Sequence, residues 1–369
     1  MKKILIIIGK LYIGGAERVG RDIGFFADKS QYEIHYVVFE DIIGAYEKEL
    51  EDVGCIIHHV DPPSLNYKKY YRCLVKIIKE EKIDIIHSHT MFSSGWAMLA
   101  GKKCGVPIRI AHSHTIRGPE KRGILKNTYE KIMRHIVVHN ATDLVACGKG
   151  AGEWFYGAKT FSRKGKIIYN GIDLSEFEYN LAVGEKIRNQ YSLHDKFVIG
   201  HVGHLAPVKN QTFLLELMPK ILNKKPNAVL LLLGEGEDRQ KLNDIITKNN
   251  LQDYVIMTGN VPNVGEYMSA MDVFVFPSLY EGMPLALVEA QTNGLPCCIS
   301  DRIPEDAILT DLIRVISLEN NDNEWIRMIC DANRTDSSSY GKQIYQMGFD
   351  VSGMLERIYQ IYKREVIYE

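Results

Sequence analysis

Short apolar runs alternate along the chain with longer stretches whose apolar positions recur every three to four residues. The runs cover residues 4–8, 34–39, 83–87, 108–112, 144–147 and 167–169. Runs of that length, rich in Ile and Val, have the pattern of strands buried on both faces. Residues 16–28, 67–81, 93–104 and 126–140 carry the helical period between them. Strands alternating with helices in this way build a parallel sheet covered on both sides.

At Asn170-Gly171-Ile172-Asp173 the alternation breaks on an Asn-Gly turn signal. A polar helical stretch over 180–191 follows, and then a second series begins. Its strands are expected at 197–202, 228–233, 255–258, 273–276 and 296–299, its helices at 210–223, 237–249, 264–271 and 286–293. The predicted fold class is α/β: two Rossmann-like, doubly wound parallel-sheet domains facing a central cleft, residues 1–172 and residues 173–340. Ligands of such sheets bind beyond the carboxyl ends of the strands, and clefts between domains are favoured sites. The last pattern, 352–369, sets Leu355, Ile358, Tyr359, Ile361 and Tyr362 on one face, so this helix is expected to return to the first domain.

Composition narrows the class. A chain of 369 residues can fill two cores, and 46% hydrophobic with 25% charged residues excludes large-scale disorder. A net charge of -1 gives no field that would draw nucleic acid, so none is expected as a partner. No window approaches the roughly 20 apolar residues of a membrane span. The basic start Met1-Lys2-Lys3 precedes an apolar run too short for an export signal, which makes the cytoplasm the expected location. The seven Cys have no C-x-x-C pair and read as reduced thiols packed as small hydrophobes.

Three segments carry candidate anion chemistry. Gly14-Gly15-Ala16-Glu17 follows the first strand and opens a helix, where bare backbone and the helix N-terminus suit a phosphate. It does not match the G-x-G-x-x-G fingerprint and is equally a tight structural turn. Lys209-Asn210 precedes a helix start, where a cation opposes the macrodipole unless an anion binds there; a solvated loop lysine is the plain alternative. Glu281-Gly282-Met283-Pro284-Leu285-Ala286, with Glu289 beyond it, follows a buried strand. Its carboxylates can accept from sugar and ribose hydroxyls, and its first N–H groups can face a phosphate. A helix opening on acidic residues for its dipole has the same pattern.

Taken in order, Gly14-Gly15-Ala16-Glu17-Arg18-Val19, Asp84-Ile85-Ile86-His87-Ser88-His89, Asn170-Gly171-Ile172-Asp173, Lys209-Asn210, Gly234-Glu235-Gly236 and Glu281-Gly282-Met283-Pro284…Glu289-Ala290 resemble the retaining glycosyltransferase family 4, and most of all bacterial members that assemble capsule and exopolysaccharide. The resemblance spans nearly the whole chain. It implies the two-domain GT-B architecture and transfer from a nucleotide-sugar, by family habit a UDP-sugar, to a glycan or lipid-linked saccharide. By the same resemblance Glu281 binds donor-sugar hydroxyls and Glu289 the ribose. Lys209 contacts the diphosphate with backbone N–H groups near Leu285, and Gly15 lies against the phosphates. Many members have Arg where this chain has His204, a weaker phosphate partner when neutral.

The resemblance also places an active-site histidine after the fourth or fifth strand, with His114 the first choice and His112 the second. The H-x-H pairs His87/His89 and His112/His114 would suit a zinc hydrolase, but the carboxylate and lysine ligands of amidohydrolases have no visible counterparts. His87 reads as a satisfied buried histidine. No D-x-D triplet occurs, which fits a site without metal or cofactor, where fixed positive groups stabilise the leaving diphosphate. No carboxylate nucleophile is identifiable, so a same-face mechanism is the expectation. The locally basic stretch with Arg117, Lys121, Arg122, Lys126, Lys131 and Arg134 admits contact with an anionic inner-membrane surface. A solvated face above an ordinary core stripe of Leu125, Tyr129, Ile132, Met133 and Ile136 is the favoured reading. A nucleotide-sugar epimerase of the same fold and a catalytically silent nucleotide- or glycan-binding protein are the alternatives.

Overall fold

The structure, a computed structural model, describes residues 1–12, 14–39, 44–116, 123–319, 322–334 and 339–364. Two compact units emerge: Met1–Gly171 with Val351–Glu369, and Ile172–Asp350.

The first unit is built on β1 (Lys2–Ile7), β2 (Tyr32–Val38), β3 (Ile56–His59), β4 (Ile85–Ser88), β5 (Ile108–Ser113), β6 (Asp143–Ala146) and β7 (Gly165–Ile167). They pair in parallel in the order β3-β2-β1-β4-β5-β6-β7. The second has β8 (Phe197–Val202), β9 (Ala228–Leu233), β10 (Val255–Gly259), β11 (Val273–Phe276), β12 (Cys297–Ser300) and β13 (Ile313–Ile316), parallel in the order β10-β9-β8-β11-β12-β13. The central strands are buried at nearly every residue, which is why their apolar runs are unbroken. The predicted class, two doubly wound parallel α/β sheets, is the one observed.

The strands not anticipated are β3 and β13, both at sheet edges. An edge strand is half solvated, so Ile56-Ile57-His58-His59 and Ile313-Arg314-Val315-Ile316 lack the sustained apolar run of a central strand. Another edge strand, β7, starts two residues before its expected position. The helices Glu47–Asp52, Lys149–Tyr156, Ala158–Lys164, Asp322–Cys330 and Tyr340–Gln346 were likewise not foreseen. All seven cysteines are free thiols. Among the described residues no helix is long and apolar enough to cross a membrane.

In each sheet the strand order reverses once, between β1 and β4 and between β8 and β11. Chains leaving the carboxyl ends of such a pair turn to opposite faces and open a crevice. Candidate loops 203–210 and 277–284 leave β8 and β11.

The helix Val351–Lys363 belongs to the first unit. Met354, Leu355, Ile358, Ile361 and Tyr362 join the core beneath β1, β2 and β5. Polar bonds hold its end. Lys2 donates to the Tyr362 carbonyl at 2.7 Å, and Arg364 reaches the buried Asp143 carboxylate at 3.1 and 2.6 Å. Lys166 adds a bond at 2.9 Å. Burial alone raises the Asp143 pKa, but hydrogen bonds from Arg364, Lys166 and Thr142 outweigh it and hold the carboxyl below its ordinary value.

A carboxyl with a lowered folded pKa contributes stability above its unfolded pKa and loses it as pH falls through the folded one. Asp143→Asn should therefore cost about 1–3 kcal/mol at pH 7, the lower end reflecting its half-exposed cationic partners. Urea titrations should show the gap to the wild type closing below about pH 4. A gap that stays constant across that range would contradict this account.

Candidate functional site

The site in the second unit is assembled by backbone. Gly203 N–H donates to the Leu233 carbonyl at 3.0 Å and Leu205 N–H to the Glu235 carbonyl at 2.9 Å, which lays the loop after β8 on the loop after β9. Gly234 has φ +135°, and a Cβ there would overlap the Gly203 carbonyl. Only glycine permits that approach. Asn210 sits in the left-handed region at φ +59° and donates its Nδ2 to the Pro277 carbonyl at 3.2 Å. Leu279 N–H donates to the Val208 carbonyl at 2.8 Å. These last two bonds tie the loop after β8 to the loop after β11.

Lys209 and Glu281 meet as a result. Lys209 Nζ lies 2.7 Å from Glu281 Oε1, with side chains only 18% and 13% exposed. The ammonium also stands 4.9 Å from the Phe276 ring. Beneath them, buried His201 donates Nδ1–H to the Val275 carbonyl at 2.9 Å and accepts from Gln211 Nε2 at 3.3 Å. Burial holds its pKa down at about 4, so it is neutral beside the cation. His201 and Gln211 were not anticipated; the one sequence signal was a histidine inside the apolar run 197–202.

The helix Leu285–Thr292 opens at Pro284, whose carbonyl accepts from Leu287 N–H at 3.0 Å and Val288 N–H at 3.3 Å. The N–H groups of Leu285 and Ala286 find no acceptor among the described residues. Gly282, Met283 and Pro284 are buried in the approach to the helix, and Glu289 is buried on its second turn. His204 turns Nε2 to the Glu237 carboxylate at 2.7 Å, both side chains largely exposed.

In the first unit, His87 and His89 at the end of β4 stand beside His112 and His114 at the end of β5. Ring centroids are 4.3 Å apart for His87 and His89, 4.1 Å for His112 and His114, and 5.0 Å for His89 and His114. His87 Nε2 lies 3.2 Å from His112 Nδ1, and His89 Nδ1 lies 2.7 Å from His114 Nε2. Burial holds all four pKa values down, His87 at about 3 and His114 at about 4. His87 is the satisfied buried histidine expected. Among the described residues His89 Nε2 and His112 Nε2 have no hydrogen-bond partner, and the Asn170 side chain bonds His114 and raises its pKa against burial.

Ring nitrogens of His87, His89 and His112 fall within 4.8 Å of one another. Neutral imidazoles are the form a metal requires. These face each other in hydrogen-bonded pairs, however, and among the described residues no carboxylate joins the group. A divalent cation there would be buried without a compensating charge.

Gly14 caps the helix Gly15–Phe25, and a side chain on it would collide with the Glu17 carboxylate. Burial raises the Glu17 pKa, against a lowering from its own backbone N–H and from Lys10. Glu17 joins Gly9, Phe39, Tyr67, His89 and Trp96 in lining a cavity of ≈ 960 Å³ at the carboxyl ends of the strands. On the helix Ile124–Asn140 the expected core stripe is only partly realised. Met133 is buried, but Leu125 (87%), Tyr129 and Ile132 are exposed, because the helix meets its unit along Met133 and Val137. Arg117, Lys121 and Arg122 lie outside the described residues.

Residues 183–330 match the family model "Glycosyl transferases group 1", and residues 13–176 match "Glycosyltransferase Family 4". EpsF of Bacillus subtilis (strain 168), named as a glycosyltransferase, is 32% identical over 374 residues, 98% of this chain and 97% of that protein. The chain is a family 4 glycosyltransferase. The Escherichia coli protein named UDP-Gal:alpha-D-GlcNAc-diphosphoundecaprenol alpha-1,3-galactosyltransferase is 30% identical over 313 residues, 78% of this chain and 77% of that one. Anabaena Alr3699/HepE, crystallised with UDP-glucose, superposes with a TM-score of 0.82 over 98% of this chain and 99% of its own at 22% identity. The GT-B fold is common to both. In this glycosyltransferase the group 1 match contains Lys209, Glu281 and Glu289, and the family 4 match contains the four histidines.

Proposed function

We propose that this glycosyltransferase moves a sugar from a UDP-sugar to a lipid-linked saccharide in exopolysaccharide or capsule assembly. Transfer retains the anomeric configuration and uses neither metal nor cofactor. The observation that carries this reading is the Lys209–Glu281 pair set where the strand order reverses, at 2.7 Å. The UDP complex of the Anabaena neighbour and the diphosphoundecaprenol acceptor in the name of the Escherichia coli relative support the substrate classes.

The roles follow from charge. A diphosphate takes the Lys209 ammonium, exchanging one anionic partner for another without leaving the cation buried and unpaired. The open N–H groups of Leu285 and Ala286 and the positive end of their helix add to the hold on the phosphates. Gly282, Met283 and Pro284 form the buried approach to that helix start. Glu281, released from Lys209, accepts from hydroxyls of the sugar, and Glu289 accepts from the ribose. These fixed groups stabilise the charge that grows on the departing diphosphate, the work a metal does elsewhere. His204, already engaged with Glu237, contributes a second contact to the phosphates. Gly14 and Gly15 give open backbone in the first unit, and the pair His112 and His114 supplies its catalytic group.

Exposed Leu65, Ile124, Leu125 and Ile132, with Lys126 and Lys131 on the same helix as the last three, suit contact with an anionic inner membrane surface from a cytoplasmic location.

In a thermal-shift panel containing EDTA, a UDP-sugar should stabilise the protein by about 2.7 kcal/mol at a hundredfold excess over its Kd. Glu289→Ala and Lys209→Met should abolish the shift. No response to any nucleotide sugar would remove the donor assignment. The anomeric configuration of the product, read by NMR coupling constants, should equal that of the donor; an inverted product would exclude the mechanism. For the membrane, Lys126→Glu with Lys131→Glu should release the protein from anionic liposomes in flotation. Equal flotation of variant and wild type would end that part of the reading.

A further inference from the structure

Tyr362 lies on the C-terminal helix, far along the chain from the strands it touches. Its Oη is 2.7 Å from His87 Nδ1, and His87 Nε2 is 3.2 Å from His112 Nδ1. The two imidazole planes are parallel within 5°. All three side chains are buried, and no other hydrogen-bond partner of their ring nitrogens or phenol oxygen exists among the described residues. The chain Tyr362–His87–His112 therefore ends at His112 Nε2.

Both imidazoles are neutral, since burial lowers the pKa of each. Each has one N–H and one lone pair, so the protons can be arranged in two ways along the chain. Either Tyr362 O–H donates inward and the free donor is His112 Nε2–H, or every bond reverses and the free donor is the phenol. Each leaves one donor without an acceptor, so counting does not decide. Bond strength does. The phenol is the better acid, and an imidazole nitrogen is a far better base than a phenol oxygen. The Tyr362 ring is also packed against the Tyr32 and Tyr359 rings, and a rotated hydroxyl has no acceptor among the described residues.

We propose that Tyr362, acting through His87, fixes the tautomer of His112 so that His112 Nε2–H is a preset hydrogen-bond donor and not a base. Tyr362 and His87 are positioning residues. The ligand group that His112 receives is an oxygen acceptor, a hydroxyl, ring or phosphate oxygen, because a buried N–H without an acceptor is rare. The neighbouring pair behaves differently. His89 Nδ1 faces His114 Nε2 with no phenol attached, and the group that acts on His114 is the Asn170 side chain, whose hydrogen bond raises the His114 pKa against burial. Of the two histidines in the proposed active site, His112 is the donor set by the phenol, and His114 answers to Asn170 instead. This division of roles rests on the active-site reading above; the tautomer itself does not.

Long-range 1H–15N correlation on the full chain labelled with 15N-histidine tests it directly, with His112 assigned from His112→Ala. The wild type at pH 7 should show His112 with a pyridine-like Nδ1 and a pyrrole-like Nε2. Tyr362→Phe, which keeps the ring and loses the donor, should turn that pattern into a mixture. His87→Leu should do the same and serves if Tyr362→Phe does not fold. A wild-type His112 protonated on Nδ1 overturns the proposal, as does an unchanged pattern in both variants. Tyr362→Phe should also lower kcat about tenfold at unchanged KM, less than complete removal of a preset donor. If the NMR pattern responds but His112→Ala transfers sugar at the wild-type rate, the hydrogen-bond chain stands and the active-site reading of His112 falls.

Discussion

Two backbone carbonyls organise the second unit. Val208 and Pro277 lie on loops that leave neighbouring strands toward opposite faces of the sheet, and nothing in a parallel ladder would otherwise hold such loops together. The bonds from Leu279 N–H and Asn210 Nδ2 close that gap. They set an ammonium and a carboxylate in contact at a place where both are mostly out of water. A buried pair of this kind adds little stability, because desolvation offsets its attraction. Its value is that each partner is held in position and can be exchanged for a ligand group of the same sign. The left-handed backbone of Asn210 and the bare Cα of Gly234 are the local costs of the arrangement.

The first unit solves a different problem. Four imidazoles at adjacent strand ends are too buried to be charged, so they interact as neutral hydrogen-bonding rings. Their order comes from outside the two strands. The C-terminal helix brings Tyr362 to His87 and is itself held by Arg364 on Asp143 and by Lys2 on its carbonyl. Packing the end of the chain against its beginning thus has a chemical consequence as well as a stabilising one. Removing that helix would expose apolar core and also leave the histidine chain without its terminal donor.

Much of this was legible in the residues. The unbroken run 273–276 and its like announced central strands, since a strand covered on both faces has no polar positions to interrupt it. The edge strands β3 and β13 were not legible, because their solvated flank permits His58, His59 and Arg314 in a sequence that then resembles a loop. The apolar stripe of the helix Ile124–Asn140 misled in the opposite sense: periodicity shows that a helix can bury a face, not that a partner covers all of it.

Sequence alone determined the α/β class, the two series of elements and the family, because periodicity, glycine placement and ordered motifs are properties of neighbouring residues. It also marked Lys209, Glu281, Glu289 and the histidine pairs as chemically capable. Tertiary structure decided which of these meet. Lys209 and Glu281 are 72 positions apart, and His87 and Tyr362 are 275 apart. Contacts over such separations depend on strand order and on where a returning helix docks, and no local spacing encodes either.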